Sequence, residues 1–274
     1  MRASPHDTTV MVSGIALRCR VQGPEGAPWI AFSNSLMTDL SLWECQAASL
    51  SERYRVLRYD QRGHGGSAVP DADCRFACLV DDLEALFDHF GIARAAVCGV
   101  SMGGVTALGF AARYPQRVAG VAVCDCQGGS SAAGGGAWNE RIAVARAGGM
   151  AALVEPTIRR WFTPASVAAG GADIDAVRRM IGATPLDGFV RGARALQDYD
   201  FRDRPAALRC PALFLAGAED GALPDALRAM AGAAPDAVFT AVPDAGHLPN
   251  VERPAAFDAA LAALLARAYP EGAP

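Results

Sequence analysis

The chain has 274 residues, 51% of them apolar and 20% charged, enough for one substantial core with an inserted subdomain. Its formal net charge of −4 comes without a long run of either sign, which argues against a nucleic-acid or anionic-membrane partner. All 25 basic residues are arginine, so lysine Schiff-base chemistry and a phosphate-loop lysine are excluded.

Residues 1–7 hold no apolar signal segment, and no apolar run approaches a membrane span; a cytoplasmic protein is expected. Residues 10–12 and 15–21 predict an antiparallel hairpin turned at Ser13-Gly14. Residues 29–32 read as a short strand, 40–50 as a helix, 55–59 as the next strand and 60–67 as a Gly-rich loop. Leu79, Leu83, Leu86, Phe87 and Phe90 recur at helical spacing within residues 76–90, and Gly91 stands where a helix would stop. A strand over 95–98 leads through Gly99-Val100-Ser101-Met102-Gly103 into a helix over 105–114, ended by Pro115; 118–124 is a further buried strand. Strands alternating with helices imply an α/β fold, a mostly parallel sheet flanked by helices on both faces.

The pattern changes at Gln127. Residues 128–136 read as a flexible Gly-rich joint, and from Trp138 to about Tyr199 helix follows helix. Breaks are expected at Gly148-Gly149, Pro164, Gly170-Gly171 and Pro185. Strands return at 212–216 and 238–242, before a last helix over 255–269. The expected organisation is a core in two parts, 1–126 and 206–274, interrupted by a helical cap over 127–205. The eight cysteines, with only Cys74/Cys78 and Cys124/Cys126 close in sequence, read as free thiols in a reducing compartment.

A Gly-x-Ser-x-Gly between a strand and a helix is the signature of a nucleophile elbow. The turn is so tight that the serine's neighbours must lack side chains, and Oγ is left exposed at the strand end. Ser101 would need a base. His247, in Asp244-Ala245-Gly246-His247-Leu248-Pro249, is the candidate; His64 in the 60–67 loop is the rival, and His6 and His89 read as surface residues. The imidazole needs a carboxylate to hold its tautomer: Asp220 after the 212–216 strand, with Asp125 and Glu219 as alternatives. Two backbone N–H groups should form the oxyanion hole, that of Met102 and that of Leu36, or failing it Ser35. No histidine pair has metal-ligand spacing, so no metal or cofactor is expected.

Ser33-Asn34-Ser35-Leu36-Met37-Thr38-Asp39-Leu40-Ser41-Leu42-Trp43, Arg58 to Ser67, Gly99 to Gly104 and Ala245 to Pro254 resemble the α/β-hydrolase superfamily, and within it the 3-oxoadipate enol-lactonases. Arg160-Trp161-Phe162-Thr163 and Ala195 to Asp200 are similar too. Two departures stand out. Those lactonases usually carry Gly where Met37 stands, and they tend to carry an Arg in the segment that is Gly-rich here. The resemblance implies an α/β-hydrolase fold with a helical cap. It also implies a cofactor-free serine hydrolase of the catabolism of aromatic compounds that opens a five-membered enol lactone bearing a carboxylate, using Ser101, Asp220 and His247. Without lysine, the cation for that carboxylate would be Arg160 first and Arg141 second, with Trp138 and Trp161 walling the pocket. The partner expected is a small-molecule substrate, for a monomer or small homo-oligomer. The alternatives are a carboxylesterase or lactonase of another small substrate, a cofactor-free lyase or oxygenase on the same fold, and a ligand receptor built on a hydrolase scaffold.

Overall fold

Eight strands make one sheet in the computed structural model, which describes residues 6–73, 75–130 and 132–270. They are β1 (His6–Val12), β2 (Ile15–Gln22), β3 (Trp29–Ser33), β4 (Arg55–Tyr59), β5 (Ala95–Val100), β6 (Val118–Cys124), β7 (Ala212–Gly217) and β8 (Ala237–Val242). Their order is β1-β2-β4-β3-β5-β6-β7-β8. β2 runs antiparallel to β1 and β4; every other pairing is parallel. Ser13 and Gly14 both take positive φ, 48° and 78°, as a tight hairpin turn requires. β5, β6 and β7 are buried along their whole length, which is why their sequences are continuous apolar runs rather than alternating ones.

The helix expected over 40–50 divides into a 3-10 turn at Leu40–Trp43 and α1 (Glu44–Leu50), because two carboxylates hold its start. The Asp39 side chain accepts from Ser41 N–H, and Asp60 Oδ1 accepts from Leu40 N–H at 2.6 Å. α2 (Phe76–His89) ends at Phe90 with Gly91 at φ 63°, the left-handed residue its stop needs. α3 spans Met102–Arg113 and starts earlier than the expected 105, since Val105 N–H already bonds to Ser101 O. α2 and α3 meet at Phe87 and Phe110, ring centroids 4.9 Å apart. Each such buried ring contributes roughly 1.5–3 kcal/mol of transfer free energy, and this core holds the β5–α3 corner rigid.

Between β6 and β7 lie α4 (Ala132–Gly148), α5 (Ala151–Trp161), α6 (Pro164–Ala169), α7 (Ala172–Ala183) and α8 (Leu186–Gln197), broken where the Gly and Pro pairs predicted. The flexible joint does not extend to residue 136: Gly135 and Gly136 lie inside α4. The Gln197 amide donates to Gly135 O at 2.8 Å and docks this glycine-rich turn on α8, a tertiary contact that overrides weak helix propensity. α9 (Leu223–Ala233), α10 (Pro249–Glu252) and α11 (Pro254–Ala268) complete the chain. Cys19, Cys98, Cys124, Cys126 and Cys210 are buried free thiols, Cys78 is half-buried and Cys45 exposed. The expectations placed on residues 1–5, the His6 side chain, Cys74 and Ser131 lie outside the described residues. Among the described residues no helix is long and apolar enough to cross a membrane.

Candidate active site

The corner between β5 and α3 is packed too tightly for side chains at its glycines. A Cβ on Gly99 would fall 2.0 Å from Gly103 O, and one on Gly103 would fall 2.1 Å from Ser33 O. Ser101 between them takes φ 57° and ψ −119°, a strained conformation held by its N–H bond to Cys124 O at 2.8 Å and by the helix that follows. That conformation turns the serine out at the C-terminal end of the sheet, beside the N-terminus of α3.

Met102 is the first residue of α3, so its N–H has no partner within the helix. Leu36 lies in the turn after β3, closed by Thr38 N–H to Ser35 O at 3.3 Å. Neither amide donates to another group among the described residues. Met37, buried in this turn, has φ 62°. The position where the resembling lactonases have Gly is thus one that demands a left-handed backbone, and here a Met bears it. α8 covers both side chains: a Cβ on Gly192 would lie 2.4 Å from Leu36 Cδ1 and 3.5 Å from Met102 Sδ.

Asp220 and His247 come from the loops after β7 and β8. His247 Nδ1 and Asp220 Oδ2 are 2.7 Å apart, each side chain only 13% exposed. The two loops interlock: a Cβ on Gly217 would lie 1.9 Å from Gly246 O. Burial pushes the Asp220 carboxyl up, but the nearby His247, the Asp125 side chain and Arg160 outweigh it and leave Asp220 below the ordinary carboxylate range. Such a carboxylate stays ionised and holds Nδ1 protonated, leaving Nε2 free to take a proton. No hydrogen bond joins Ser101 to His247 in this structure; catalytic hydrogen bonds are often long or poorly aligned before substrate binds.

His247 is also held from the cap side. Its N–H donates to Trp161 O at 2.7 Å, and its ring stacks on Trp161 with centroids 5.6 Å apart. Glu252, which the sequence reading gave no role, ties both sides together. Its Oε2 accepts from Gly246 N–H at 2.7 Å and its Oε1 from Thr163 N–H at 2.9 Å. The signal was the acid within the Leu248-Pro249-Asn250-Val251-Glu252 run, but spacing alone could not show which loops it clamps.

The rival residues separate clearly. His64 is buried in its own loop, with Nδ1 on Arg62 O at 3.1 Å, and burial pushes it down to about 4. Its ring lies against Gly192 together with the Leu36 and Met102 side chains. Glu219 and His89 are exposed. Asp125, by contrast, sits fully buried beside Asp220, and atoms of Asp125, Asp220 and His247 lie within 4.8 Å of one another. Within this cluster His247 Nδ1 is taken by Asp220 and Asp125 Oδ1 accepts from Gly217 N–H at 2.8 Å.

Of the expected pocket residues, Trp161 is buried against His247 and Trp138 is partly buried. Arg160 is exposed, close enough to Asp220 and Arg141 to act on both charges. Arg141 is half-buried 4.7 Å above the Trp138 ring, and its guanidinium donates to the buried Thr157 Oγ1 at 3.2 Å. Burial, then the neighbouring Arg160, pull it down to about 10, and no carboxylate lies within 4.0 Å of it among the described residues.

A sequence profile of the alpha/beta hydrolase family matches residues 11–260. The 3-oxoadipate enol-lactonase 2 of Acinetobacter baylyi is 32% identical over 268 residues, covering 94% of this chain and 96% of that protein. The 3-oxoadipate enol-lactonase 1 of the same organism is 34% identical, covering 89% and 91%. The crystal structure of the enol-lactonase from Burkholderia xenovorans superposes with a TM-score of 0.90 at 36% identity, covering 94% of this chain and 99% of that one.

Proposed function

This chain belongs to the alpha/beta hydrolase family, and from that premise we propose that it is a serine hydrolase of a small anionic lactone, with 3-oxoadipate enol-lactone the substrate best supported. The observation that carries the reading is the 2.7 Å Asp220–His247 pair at the sheet edge that also presents Ser101 on its strained elbow. The identity to enol-lactonases over most of the chain supports the lactone.

In this reading His247 Nε2 takes the Ser101 proton as Oγ adds to the ring carbonyl. The oxyanion collects the free N–H groups of Met102 and Leu36, and the start of α3 favours the negative charge. Collapse breaks the ring C–O bond and the enol oxygen leaves with the proton held by His247. The acyl group on Ser101 still carries the enol, which ketonises. With His247 neutral again after protonating the enol, water gives its proton to Nε2 and adds to the acyl carbon; the C–Oγ bond then breaks, His247 returns the proton to Ser101 Oγ, and the product acid is released. Neither metal nor cofactor takes part in these steps.

Residues 127–205 serve as the cap in this proposal. Trp161 stacks on His247, α8 lies against the Leu36 and Met102 side chains, and Arg141 stacks on Trp138. In this proposal Arg141 binds the substrate carboxylate, because it is a partly desolvated cation with no carboxylate within 4.0 Å among the described residues; the exposed Arg160 acts from the rim. The test is steady-state turnover of 3-oxoadipate enol-lactone against a simple aryl acetate. A kcat/KM for the lactone no better than for the ester would sink the substrate assignment. Trapping no acyl group on Ser101 would sink the serine mechanism.

A further inference from the structure

Asp125 directly follows β6 with φ 44°, its N–H bonded to Leu215 O at 2.9 Å. Its carboxyl is fully buried and aims at Asp220. Oδ1 is satisfied by Gly217 N–H, but Oδ2 is buried with no donor in reach. A buried carboxylate oxygen without a donor, facing a second carboxylate, is untenable when both are ionised. Asp220 must be the ionised one, because it faces His247 Nδ1.

We propose that Asp125 is a positioning residue: held as the neutral acid, it donates its Oδ2 proton to Asp220 and fixes the carboxylate that orients His247. This rests on the triad reading above. One proton then resolves three features together: the orphaned Oδ2, the close pair of acids, and the retention of charge on Asp220 despite its burial. Burial, then the Asp220 charge, push the Asp125 carboxyl well above the ordinary range, in keeping with this state. The groups that face the pair are His247 on the loop after β8, Cys124 on β6 with Cys98 beside it on β5, Cys126 beyond, and Arg160 of α5 toward Asp220. All three thiols lie in the interior, and burial pushes those of Cys124 and Cys126 up; among the described residues Arg160 is the cation that acts on Asp220 besides His247 in its protonated form.

The distinguishing variant is Asp125→Asn. Its amide offers the same acceptor to Gly217 and the same donor to Asp220, yet cannot ionise. Asp125→Leu keeps the bulk and removes the donor. With a neutral aryl acetate as substrate, Asp125→Asn should keep kcat within about threefold of the parent, while Asp125→Leu loses about 30-fold in kcat with KM within about twofold. In Asp125→Leu the acid limb of kcat/KM should also move to higher pH, since an unshared Asp220 is more basic and stabilises the imidazolium. Infrared difference spectra of parent against Asp125→Asn should show the loss of one protonated-carboxyl band. An Asp125→Asn enzyme as poor as Asp125→Leu, an Asp125→Leu enzyme with parental kcat and acid limb, or no such band would each overturn the proposal. If Asp125→Leu does not fold, the Asp125→Asn kinetics and the infrared band decide it. Parental turnover in Ser101→Ala would instead refute the triad reading, and the infrared band would still report on Asp125.

Discussion

Replacing Arg141 with Met tests substrate recognition and stability at once. The methionine keeps an apolar stem beside Trp138 and removes the guanidinium, which donates to Thr157 and meets no carboxylate among the described residues. A charge-assisted hydrogen-bonded pair with a substrate carboxylate contributes about 1.5–3 kcal/mol, or about 10–150-fold in kcat/KM at 1.4 kcal/mol per tenfold. A neutral aryl acetate has no carboxylate to lose, so its kcat/KM should change by less than about threefold. Stability should move the other way. Lowering the group from 12.5 to about 10 corresponds to about 3 kcal/mol of disfavoured charge, which partial exposure reduces to about 1–2 kcal/mol. Because the folded-state value is depressed below the unfolded one, this cost is fully present at neutral pH and fades only as pH rises through about 10. Arg141→Met should therefore unfold at a higher denaturant midpoint than the parent, by the same margin at pH 6 and pH 8, while losing the lactone. Equal losses on lactone and ester, or a destabilised variant, would refute the carboxylate-site argument. The assignment would then pass to Arg160 or be dropped.

Ser101→Ala should abolish turnover with an unchanged melting temperature, since the elbow strain lies in the backbone and not in Oγ; turnover within about tenfold of the parent would remove the nucleophile. Asp220→Asn should cost kcat about 10³–10⁴-fold, because the amide stabilises the wrong imidazole tautomer, whereas a loss of about tenfold would place the orienting acid elsewhere. His64→Gln should keep most of the activity that His247→Ala loses. It should also remove part of the parent's acid lability: a histidine buried neutral, with its value lowered from 6.5 to about 4, stabilises the fold fully above pH 6.5, and the contribution is lost as pH falls toward 4. Equal acid denaturation profiles for the two would contradict this. Gly103→Ala should fail to fold, or lose more than about 3 kcal/mol, because its Cβ would lie 2.1 Å from Ser33 O; a stable variant would mean the elbow can relax.

Local rules carried much of this protein. The strand at 118–124 matches β6 residue for residue, because an uninterrupted apolar run between turn signals fits a doubly covered sheet; 55–59 matches β4 just as closely although Arg55 and Arg58 interrupt its apolar residues. The elbow glycines, the hairpin at Ser13-Gly14 and the stop at Gly91 were legible because each is a backbone demand that few residues meet. The candidates Ser101, Asp220 and His247 could be chosen by chain order and position after strands, since sheet topology gathers strand ends on one edge. What local rules could not supply is contact across the sheet. Gly135 and Gly136 became helical because Gln197 reaches them from α8. Asp125 and Asp220, in the loops after different strands, were weighed as alternatives when the pairing of β6 with β7 makes them neighbours. Glu252 joins the His247 loop to Thr163 across 89 residues of sequence. Arg141 is half-buried with Trp138 and Thr157 against it, whereas Arg160 is exposed near the end of α5. Sequence determined which elements form, because periodicity and turn chemistry are local. Tertiary structure decided which charges lose water and which acids must share a proton, because desolvation is a property of the neighbours the fold brings near.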